Sequence, residues 1–291
     1  MASAKVFKCD PRNFVLTDEM RKAYEDTGYI LIKGFLDDEE LTQIRKTVED
    51  TDGYRKKFYG VSDGKGGESR LTLWSHPGSD VTGMLARCEK VAGTAEKLLG
   101  GEVYHYHTKL MAKDPRGIGG AHIWHQDYGY WYKNGCLFPD MLSAFLPIDP
   151  CRKENGCLQV IEGSHKCGRI DHDLVAGQQK CNQERLDQIK AKLPLKYVEM
   201  DPGDALFFHC NLLHCSDANN SETKRWVLIP CYNKATNDPV YKHHHPNYTK
   251  LHKVPDSALR ECRNYTDLSG KDFMDPKTDK TTDVTANKTP A

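Results

Sequence analysis

The sequence predicts a mainly β protein, an antiparallel sandwich or barrel with helices packed outside it. Between about residues 102 and 232, short apolar or alternating runs such as EVYHYHTKLMAK, GCLQVIEG and RWVLIPCYN are separated by turn residues, which is typical of many short antiparallel strands. Helical spacing is concentrated in the first hundred residues. The chain of 291 residues is long enough to bury a sizeable core.

Two helices with a strand between them are predicted near the N-terminus. The first begins at Thr17, has acidic residues in its first turn and ends at Gly28, which are start and stop signals of a helix. The run YILIKGF (29–35) has the composition of a short strand. Asp37 can then cap a second helix, whose sequence DDEELTQIRKTVED again begins with acids.

Three further segments differ from their neighbours in composition or in the spacing of their apolar residues. Residues 51–80 are rich in Gly, Ser and Lys and predict a long mobile loop, which we interpret as a lid. Residues 81–100 have helical spacing and end in two glycines. Residues 170–195 interrupt the strands and predict a partly helical insertion.

The two ends of the chain predict little regular structure. Residues 1–16 read as an irregular lead-in, and residues 267–291 are polar and rich in Thr, Lys and Asp, which favours a disordered tail. Residues 17–266 are therefore predicted to form a single domain.

Composition excludes several classes of function. Lys plus Arg and Asp plus Glu both number 41, so the formal net charge is 0, which argues against a general binder of nucleic acid or acidic membranes. The apolar runs fall far short of the roughly 18 residues of a membrane span. The eleven cysteines without a signal-peptide pattern predict reduced thiols in the cytoplasm.

The segment IWHQDYGYW contains a candidate pair of metal ligands. On an extended backbone, residues i and i+2 point to the same side, so His125 and Asp127 can present an imidazole and a carboxylate to one point. Two ligands leave an ion under-coordinated, and a third must come from elsewhere in the chain.

The third candidate ligand follows the strand ALFFH. If a hairpin is centred near residues 219–220, His214 lies opposite Arg225 and shares a face with it. Ser216 lies on that face too, because the side chains of a strand alternate with a period of two. One side of the hairpin would therefore present an imidazole, a hydroxyl and a guanidinium.

Together these residues predict two histidines and one carboxylate beside an anion-binding arginine. That ligand set with open positions is typical of non-haem Fe(II) oxygenases. The open positions accept a keto acid and dioxygen, and the planar guanidinium suits a distal carboxylate, which it binds through two parallel hydrogen bonds.

The chain resembles the phytanoyl-CoA dioxygenase-like Fe(II)/2-oxoglutarate oxygenases, whose members include ectoine and proline hydroxylases. The resemblance spans roughly residues 20–235 and is carried by AYEDTGYILIKGFLDDEEL, WHQD, ENGCLQVIEGSHK and GDALFFHCNLLHCS, followed by Arg225 eleven residues after His214. It implies a double-stranded β-helix (jelly roll) with outer helices. It also implies Fe(II), 2-oxoglutarate and O2 as cofactor and cosubstrates.

The resemblance also assigns roles to individual residues. The implied iron ligands are His125, Asp127 and His214. The implied 2-oxoglutarate residues are Arg225 and Ser216, with Lys109 and Phe145 at further positions of the cosubstrate pocket.

Other histidines leave alternatives open. His209 is a rival to His214 as the third ligand, although it matches a non-ligand position of the family. His105 and His107 alternate on one strand and predict pocket lining or ordinary packing. The run 243–245 predicts a solvated loop.

Aromatic residues crowd behind the HQD segment. Tyr128, Tyr130 and Trp131 are candidates for a substrate wall, with sheet packing as the alternative interpretation. Such a wall can attract a cationic or zwitterionic molecule. Trp131 also resembles a substrate-contacting tryptophan of ectoine hydroxylases.

We therefore predict a hydroxylase that releases succinate and CO2 and acts on a small, amino-acid-like or zwitterionic molecule. The alternatives are a fatty acyl-CoA hydroxylase of the same family, a non-catalytic protein that binds metal and 2-oxoglutarate, and another metalloenzyme such as a zinc hydrolase. No nucleic-acid or membrane partner is expected, and the oligomeric state is left open.

Overall fold

The computed structural model describes residues 6–278 and 289–290. Its helices are α1 (Asp18–Thr27), α2 (Asp38–Val48), α3 (Asp52–Arg55), α4 (Val81–Arg87), α5 (Thr94–Leu99), α6 (Asp127–Lys133), α7 (Gln183–Lys190) and α8 (Ser257–Glu261). Its first strands are β1 (Val6–Lys8), β2 (Tyr29–Lys33), β3 (Tyr59–Ser62), β4 (Glu68–Ser75), β5 (Val103–Lys113), β6 (His122–His125), β7 (Met141–Pro147) and β8 (Leu158–Ile161). The later strands are β9 (His172–Val175), β10 (Gln178–Cys181), β11 (Leu195–Val198), β12 (Ala205–His209), β13 (His214–Ser216), β14 (Arg225–Lys234), β15 (Tyr241–Lys242), β16 (Asp272–Phe273) and β17 (Thr289–Pro290).

The predicted N-terminal helices are confirmed, and their ends have the expected caps. The Thr17 hydroxyl accepts a hydrogen bond from the Met20 amide at 3.2 Å. Gly28, in the left-handed region at φ 86°, ends α1, because glycine adopts that conformation without steric cost. Asp37 and Glu40 form a reciprocal capping box at the start of α2.

Two facing sheets form the body of the protein. The larger sheet has the order β1-β2-β12-β7-β14-β5-β4-β16, with β3 also paired to β4, and the smaller sheet has the order β11-β8-β13-β6. Residues of both sheets pack into one apolar cluster, including Phe145 and Phe208 of the larger sheet and Val160 of the smaller one. This arrangement confirms the predicted jelly roll with outer helices.

The larger sheet is buried on both faces. Ile30 and Phe207 pack with the helices in the outer cluster, whereas Leu206 and Phe208 face the smaller sheet. A strand that is covered on both sides reads as a continuous apolar run, as in ALFF, instead of alternating with polar residues. Several of the functional residues described below, including Lys109, Phe145 and Arg225, lie on the inner face of this sheet and face the smaller sheet.

The prediction of a long mobile loop at residues 51–80 is wrong. Residues 59–62 and 68–75 form β3 and β4, which pair with each other, and β4 also pairs with β5. The glycine-rich stretch between them is a tight turn, in which Asp63 accepts hydrogen bonds from the amides of Lys65 and Gly67. The glycines and lysines of this turn dominate the composition of residues 51–80, so the strands on either side were not predicted.

Both predicted irregular ends contain ordered structure. Val6–Lys8 of the lead-in pair in parallel with β2. In the predicted tail, Phe273 pairs with Trp74 of β4, and the Lys271 ammonium lies 3.0 Å from the buried Asp80 carboxylate. The tail boundary at residue 267 is therefore too early. Its residues 279–288 and 291 lie outside the described residues.

Among the described residues, helices long and apolar enough to cross a bilayer are absent.

Candidate metal centre and adjoining cavities

Three predicted ligands come together where the smaller sheet meets α6. His125 is the last residue of β6, and Asp127 is the first residue of α6. Gln126 between them is extended, with φ −111° and ψ 137°, which keeps the two side chains on the same side. His214 begins β13 and pairs directly with His125 on the neighbouring strand, so the two imidazoles share a face.

The geometry of the three side chains suits one metal ion. The Nε2 atoms of His125 and His214 lie 3.8 Å and 3.9 Å from Oδ1 of Asp127. One ligand atom from each residue lies within 4.8 Å of the others, and all three residues are buried. Because the three ligand atoms surround one point and are all buried, the set fits a two-histidine, one-carboxylate centre.

The hydrogen bonds of the imidazoles leave the correct nitrogen free for a metal. Nδ1 of His125 is 2.7 Å from the Ile123 carbonyl oxygen, and Nδ1 of His214 is 2.9 Å from that of Leu212. A carbonyl only accepts, so each Nδ1 carries the proton and each Nε2 presents a lone pair to the centre. Burial lowers the pKa of both imidazoles, which keeps them neutral as metal ligands require.

The carboxylate of Asp127 is held in its ionised form. Burial raises its pKa, but Lys109, His214 and a hydrogen bond from Ser143 outweigh burial, and the net pKa lies below the usual value. Nζ of Lys109 is 3.7 Å from Oδ1, and the Ser143 hydroxyl donates to Oδ2 at 2.7 Å. Ser143 thus orients the carboxylate so that Oδ1 faces the imidazoles.

Replacing Ser143 by alanine is expected to weaken ferrous iron binding about 10- to 100-fold, the usual cost of removing a group that orients a ligand. Titration of the apoprotein with Fe(II) under nitrogen measures this dissociation constant. Ser69→Ala is a matched control, because Ser69 is also buried but its hydroxyl bonds to the Gly120 carbonyl. An unchanged affinity in Ser143→Ala would show that Ser143 does not position Asp127.

A small cavity of about 30 Å³ adjoins the metal ligands and ends at Arg225. The side chain of Arg225 is fully buried. Its Nε and Nη1 atoms have no hydrogen-bond partner among the described residues, and Nη2 lies 4.0 Å from the Met111 sulfur. A buried and unpaired charge is costly, so this guanidinium is poised to bind an anion.

The predicted hairpin with His214 opposite Arg225 is wrong. Arg225 begins β14 in the larger sheet, and its direct partner is Lys113 of β5. His214 instead lies on β13 of the smaller sheet, between β6 and β8. The two residues line the same cavity because they face each other from opposite sheets. The turn near 219–220 therefore carries the chain from one sheet to the other.

Lys113 belongs to this cationic end of the site and was missed in the sequence. Its ammonium is buried and donates hydrogen bonds to the Ser216 hydroxyl at 2.8 Å and to the Ser216 carbonyl at 3.3 Å. Burial and the neighbouring Arg225 lower its pKa well below the usual value. Counting in twos along β5 from His107 through Lys109 reaches Lys113 on the same face, which is the signal that could have identified it.

The three remaining predicted cosubstrate residues also line this cavity. The Phe145 ring lies below the guanidinium of Arg225, at 5.9 Å from Cζ to the ring centroid. Lys109 lies between the small cavity and a larger one. Ser216 lines the small cavity as predicted.

The larger cavity, of about 430 Å³, opens on the other side of the metal ligands. One face of α6 forms part of its wall. Asp127, Tyr130, Trp131 and Asn134 all line it, and their spacing of i, i+3, i+4 and i+7 places them on one side of a helix. Tyr130 and Trp131 thus lie where the sequence predicted a substrate wall.

Tyr128 does not line the cavity, contrary to the prediction. Its ring is buried in the inner apolar cluster, and its hydroxyl donates to the Cys136 carbonyl at 3.1 Å. The prediction treated the aromatic run as one surface. Because the run is helical, Tyr128 points about 100° away from Asp127.

The strands β3 and β4 and the C-terminal segment supply the opposite wall of the larger cavity. Tyr59 and Leu71 line it from β3 and β4, and Met274 and Pro276 line it from the segment around β16. The Met274 amide is fixed by a hydrogen bond to the Leu73 carbonyl at 2.9 Å. The region interpreted as a lid is therefore a paired part of the sheet.

Two histidine predictions are resolved by the inner and outer faces of the strands. His209 lies at the end of β12 on the outer face, with its ring 6.3 Å from that of Tyr24. It is not part of the ligand group. His105 also faces outward and lies 2.6 Å from the Thr108 hydroxyl, whereas His107 lines the larger cavity.

The prediction of a solvated loop at residues 243–245 is wrong for His245. This side chain is buried and lines the larger cavity. Its ring stacks on that of His107, with centroids 4.7 Å apart and an interplanar angle of 29°. A run of histidines reads as polar, but neutral imidazoles pack readily against other rings.

Comparisons with known proteins agree with this geometry. Residues 24–227 match the model of the family described as phytanoyl-CoA dioxygenase (PhyH). The chain is 29% identical over 237 residues to L-proline trans-4-hydroxylase of Streptomyces griseoviridis, covering 75% of this chain and 87% of that protein. It is 27% identical over 237 residues to a probable phytanoyl-CoA dioxygenase of Caenorhabditis elegans, covering 75% of each.

Solved structures resemble the fold. EctD from S. alaskensis with 2-oxoglutarate and 5-hydroxyectoine has a TM-score of 0.68 at 22% identity, covering 88% of this chain and 97% of that one. The same protein with bound Fe has a TM-score of 0.64 at 22% identity, covering 86% and 94%. The family model spans well over half of the present sequence, so the chain belongs to the phytanoyl-CoA dioxygenase (PhyH) family, as its sequence motifs predicted.

Proposed function

We propose that the protein is an Fe(II)- and 2-oxoglutarate-dependent hydroxylase of a small molecule. The buried, unpaired guanidinium of Arg225, at the end of a cavity that begins at the His125, Asp127 and His214 group, is the observation that carries this proposal. An anion that spans this cavity would bind the metal at one end and the Arg225 guanidinium at the other. A dicarboxylic keto acid has this form, and EctD was crystallised with 2-oxoglutarate.

The protein's residues divide the work of holding the reactants. His125, Asp127 and His214 would hold the iron, which together with 2-oxoglutarate and O2 supplies the oxidising chemistry and releases succinate and CO2. Arg225 would bind the far carboxylate, and Ser216, fixed by Lys113, would contribute its hydroxyl. Phe145 and Met111 would exclude water from that end, where a dry environment strengthens the ionic contact.

The substrate would occupy the larger cavity and be amino-acid-like or zwitterionic. A volume of about 430 Å³ suits a compact molecule. Tyr130 and Trp131 flank the position next to Asp127, where an aromatic wall can attract a positive charge. Relatives with matching sequence act, by their names, on proline and on ectoine.

We place the enzyme in a reducing compartment such as the cytoplasm. Each of the eleven cysteines lies in the described part of the chain, and each is free. Reduced thiols and ferrous iron require the same conditions.

Succinate release by the iron-loaded protein tests the function. The panel contains amino acids, betaines and acyl-CoA esters, with 2-oxoglutarate and O2 supplied. We expect at least one small amino acid or betaine to stimulate succinate release, and no stimulation with Asp127→Ala. Stimulation by acyl-CoA esters alone would favour the acyl-CoA alternative.

Two outcomes would contradict the proposal. No succinate with any compound, despite binding of 2-oxoglutarate, would indicate a non-catalytic binding protein. No succinate, together with retention of zinc in place of iron and no rise in melting temperature on adding 2-oxoglutarate, would indicate a metal hydrolase.

A further inference from the structure

Two stacked imidazoles form an unusual polar patch in the wall of the larger cavity. His107 and His245 are 2% and 4% exposed, and both line the cavity. Neither ring nitrogen of His107 has a hydrogen-bond partner in the described part of the chain, and the same is true of Nδ1 of His245. Buried polar groups are normally paired, so these nitrogens lack a partner that a ligand can supply.

Packing holds both rings in place, although three of their four nitrogens lack a hydrogen-bond partner among the described residues. His107 stacks on His245 and also contacts the edge of Trp131, with centroids 5.8 Å apart. The Tyr106 ring packs against His245 at 4.6 Å. Because packing fixes the orientation of both rings, they can offer hydrogen bonds to a ligand without further loss of side-chain entropy.

The charges around the pair favour an anion over a cation. Lys109 follows His107 by two residues and lines the same cavity. The carboxylates that line the cavity are Asp127, which faces Lys109 at 3.7 Å, and the exposed Glu68 of β4. The deep end around the imidazoles thus has a nearby ammonium and no free carboxylate among the described residues.

We propose that His107 and His245 bind an oxyanion on the substrate, either a carboxylate or a phosphonate. This inference rests on the proposed function and deepens it by naming the substrate's recognised group and its location. Each neutral imidazole donates one N–H bond, so the pair can donate two bonds to one anionic head group. Burial lowers the pKa of both groups, which is consistent with neutral donors.

This subsite is separate from the one assigned to 2-oxoglutarate. His107 and His245 line only the larger cavity, and Arg225 and Ser216 line only the smaller one. The metal ligands His125 and Asp127 border both. An anionic head held by the imidazoles would therefore fix the distance between the substrate's head group and the iron, and so select which carbon is oxidised.

Binding of matched acids and of analogues whose acid group is uncharged, called neutral analogues below, tests the subsite. Anaerobic calorimetry on the protein loaded with Fe(II) and 2-oxoglutarate compares L-proline with L-prolinamide and 2-aminoethylphosphonate with its diethyl ester. At least one acid should bind about tenfold or more tightly than its neutral analogue, since a hydrogen bond to a charged group has that worth. The acid that binds distinguishes a carboxylate site from a phosphonate site.

The His107→Phe variant keeps a stacking ring but removes both nitrogens. It should weaken the preferred acid about tenfold or more, leave the neutral analogue unchanged and leave 2-oxoglutarate binding unchanged. His105→Phe is the matched control, because it removes a buried imidazole from the outer face of the same strand. Thermal unfolding of both variants checks that each one is folded.

The outcomes separate this inference from the proposed function. Equal binding of acid and neutral analogue, binding of neither acid, or unchanged acid binding in His107→Phe would each overturn the subsite. If succinate is released equally with the acid and with its neutral analogue, the hydroxylase function is supported and the anion subsite is contradicted. If acid binding depends on His107 but no substrate gives succinate, the subsite is supported and the hydroxylase function is contradicted.

Discussion

Asp127→Ala is expected to lose ferrous iron and all hydroxylase activity. The variant leaves two neutral imidazoles as the only candidate ligands among the described residues. They cannot neutralise the charge of a divalent ion, so they should bind it weakly. The loss of affinity should exceed the roughly 10- to 100-fold cost of removing a group that merely orients a ligand. Metal analysis after dialysis and succinate release at saturating iron measure the two effects.

Asp173→Ala is the control for Asp127→Ala, because Asp173 is an exposed carboxylate on β9. It should retain iron and activity. Full iron content in Asp127→Ala would contradict the ligand assignment. Thermal unfolding of Asp127→Ala checks that the variant is folded, because removal of the carboxylate leaves the Lys109 ammonium without its acidic partner.

Arg225→Met is expected to raise the 2-oxoglutarate requirement about 10- to 150-fold, because a hydrogen bond to a charged group contributes about 1.5–3 kcal/mol. Without 2-oxoglutarate, the same variant should be as stable as the parent or more stable, since methionine replaces a buried and unpaired charge with an apolar side chain. The increase in melting temperature that 2-oxoglutarate gives the parent should disappear. Thermal unfolding at several 2-oxoglutarate concentrations measures both effects.

Arg185→Met provides the comparison for Arg225→Met. Arg185 is exposed on α7 and contacts Gln188, so its loss should change neither property. A 2-oxoglutarate requirement unchanged in Arg225→Met would mean that the anion binds elsewhere. A marked loss of stability without 2-oxoglutarate would mean that the guanidinium has a structural partner.

The shared direction of the candidate metal ligands His125 and Asp127 was predictable because it depends on short-range rules. The spacing of His125 and Asp127 determines a shared direction once the residue between them is extended. The caps at Thr17 and Asp37 were predictable for the same reason, since a capping side chain bonds to an amide a few residues away. These features use only local backbone conformation.

The partner of each strand was less predictable, because alternation shows that a strand has two faces and not which strand lies beside it. His214 and Arg225 were therefore placed on one hairpin, although they lie on opposite sheets. His245 was missed because its packing partner His107 is far away in sequence. Tyr128 was misplaced because a short aromatic run does not distinguish a helix from a strand.

The position of the C-terminal segment has a consequence for the order in which the protein is assembled. Every candidate metal and 2-oxoglutarate residue precedes residue 234, whereas Met274 and Pro276, which wall the larger cavity, come about forty residues later. During synthesis, the iron and keto-acid sites can thus form while the substrate chamber is still open on one side. A chain that stops before residue 271 would lack this wall of the chamber and would also leave the buried Asp80 carboxylate without the Lys271 ammonium.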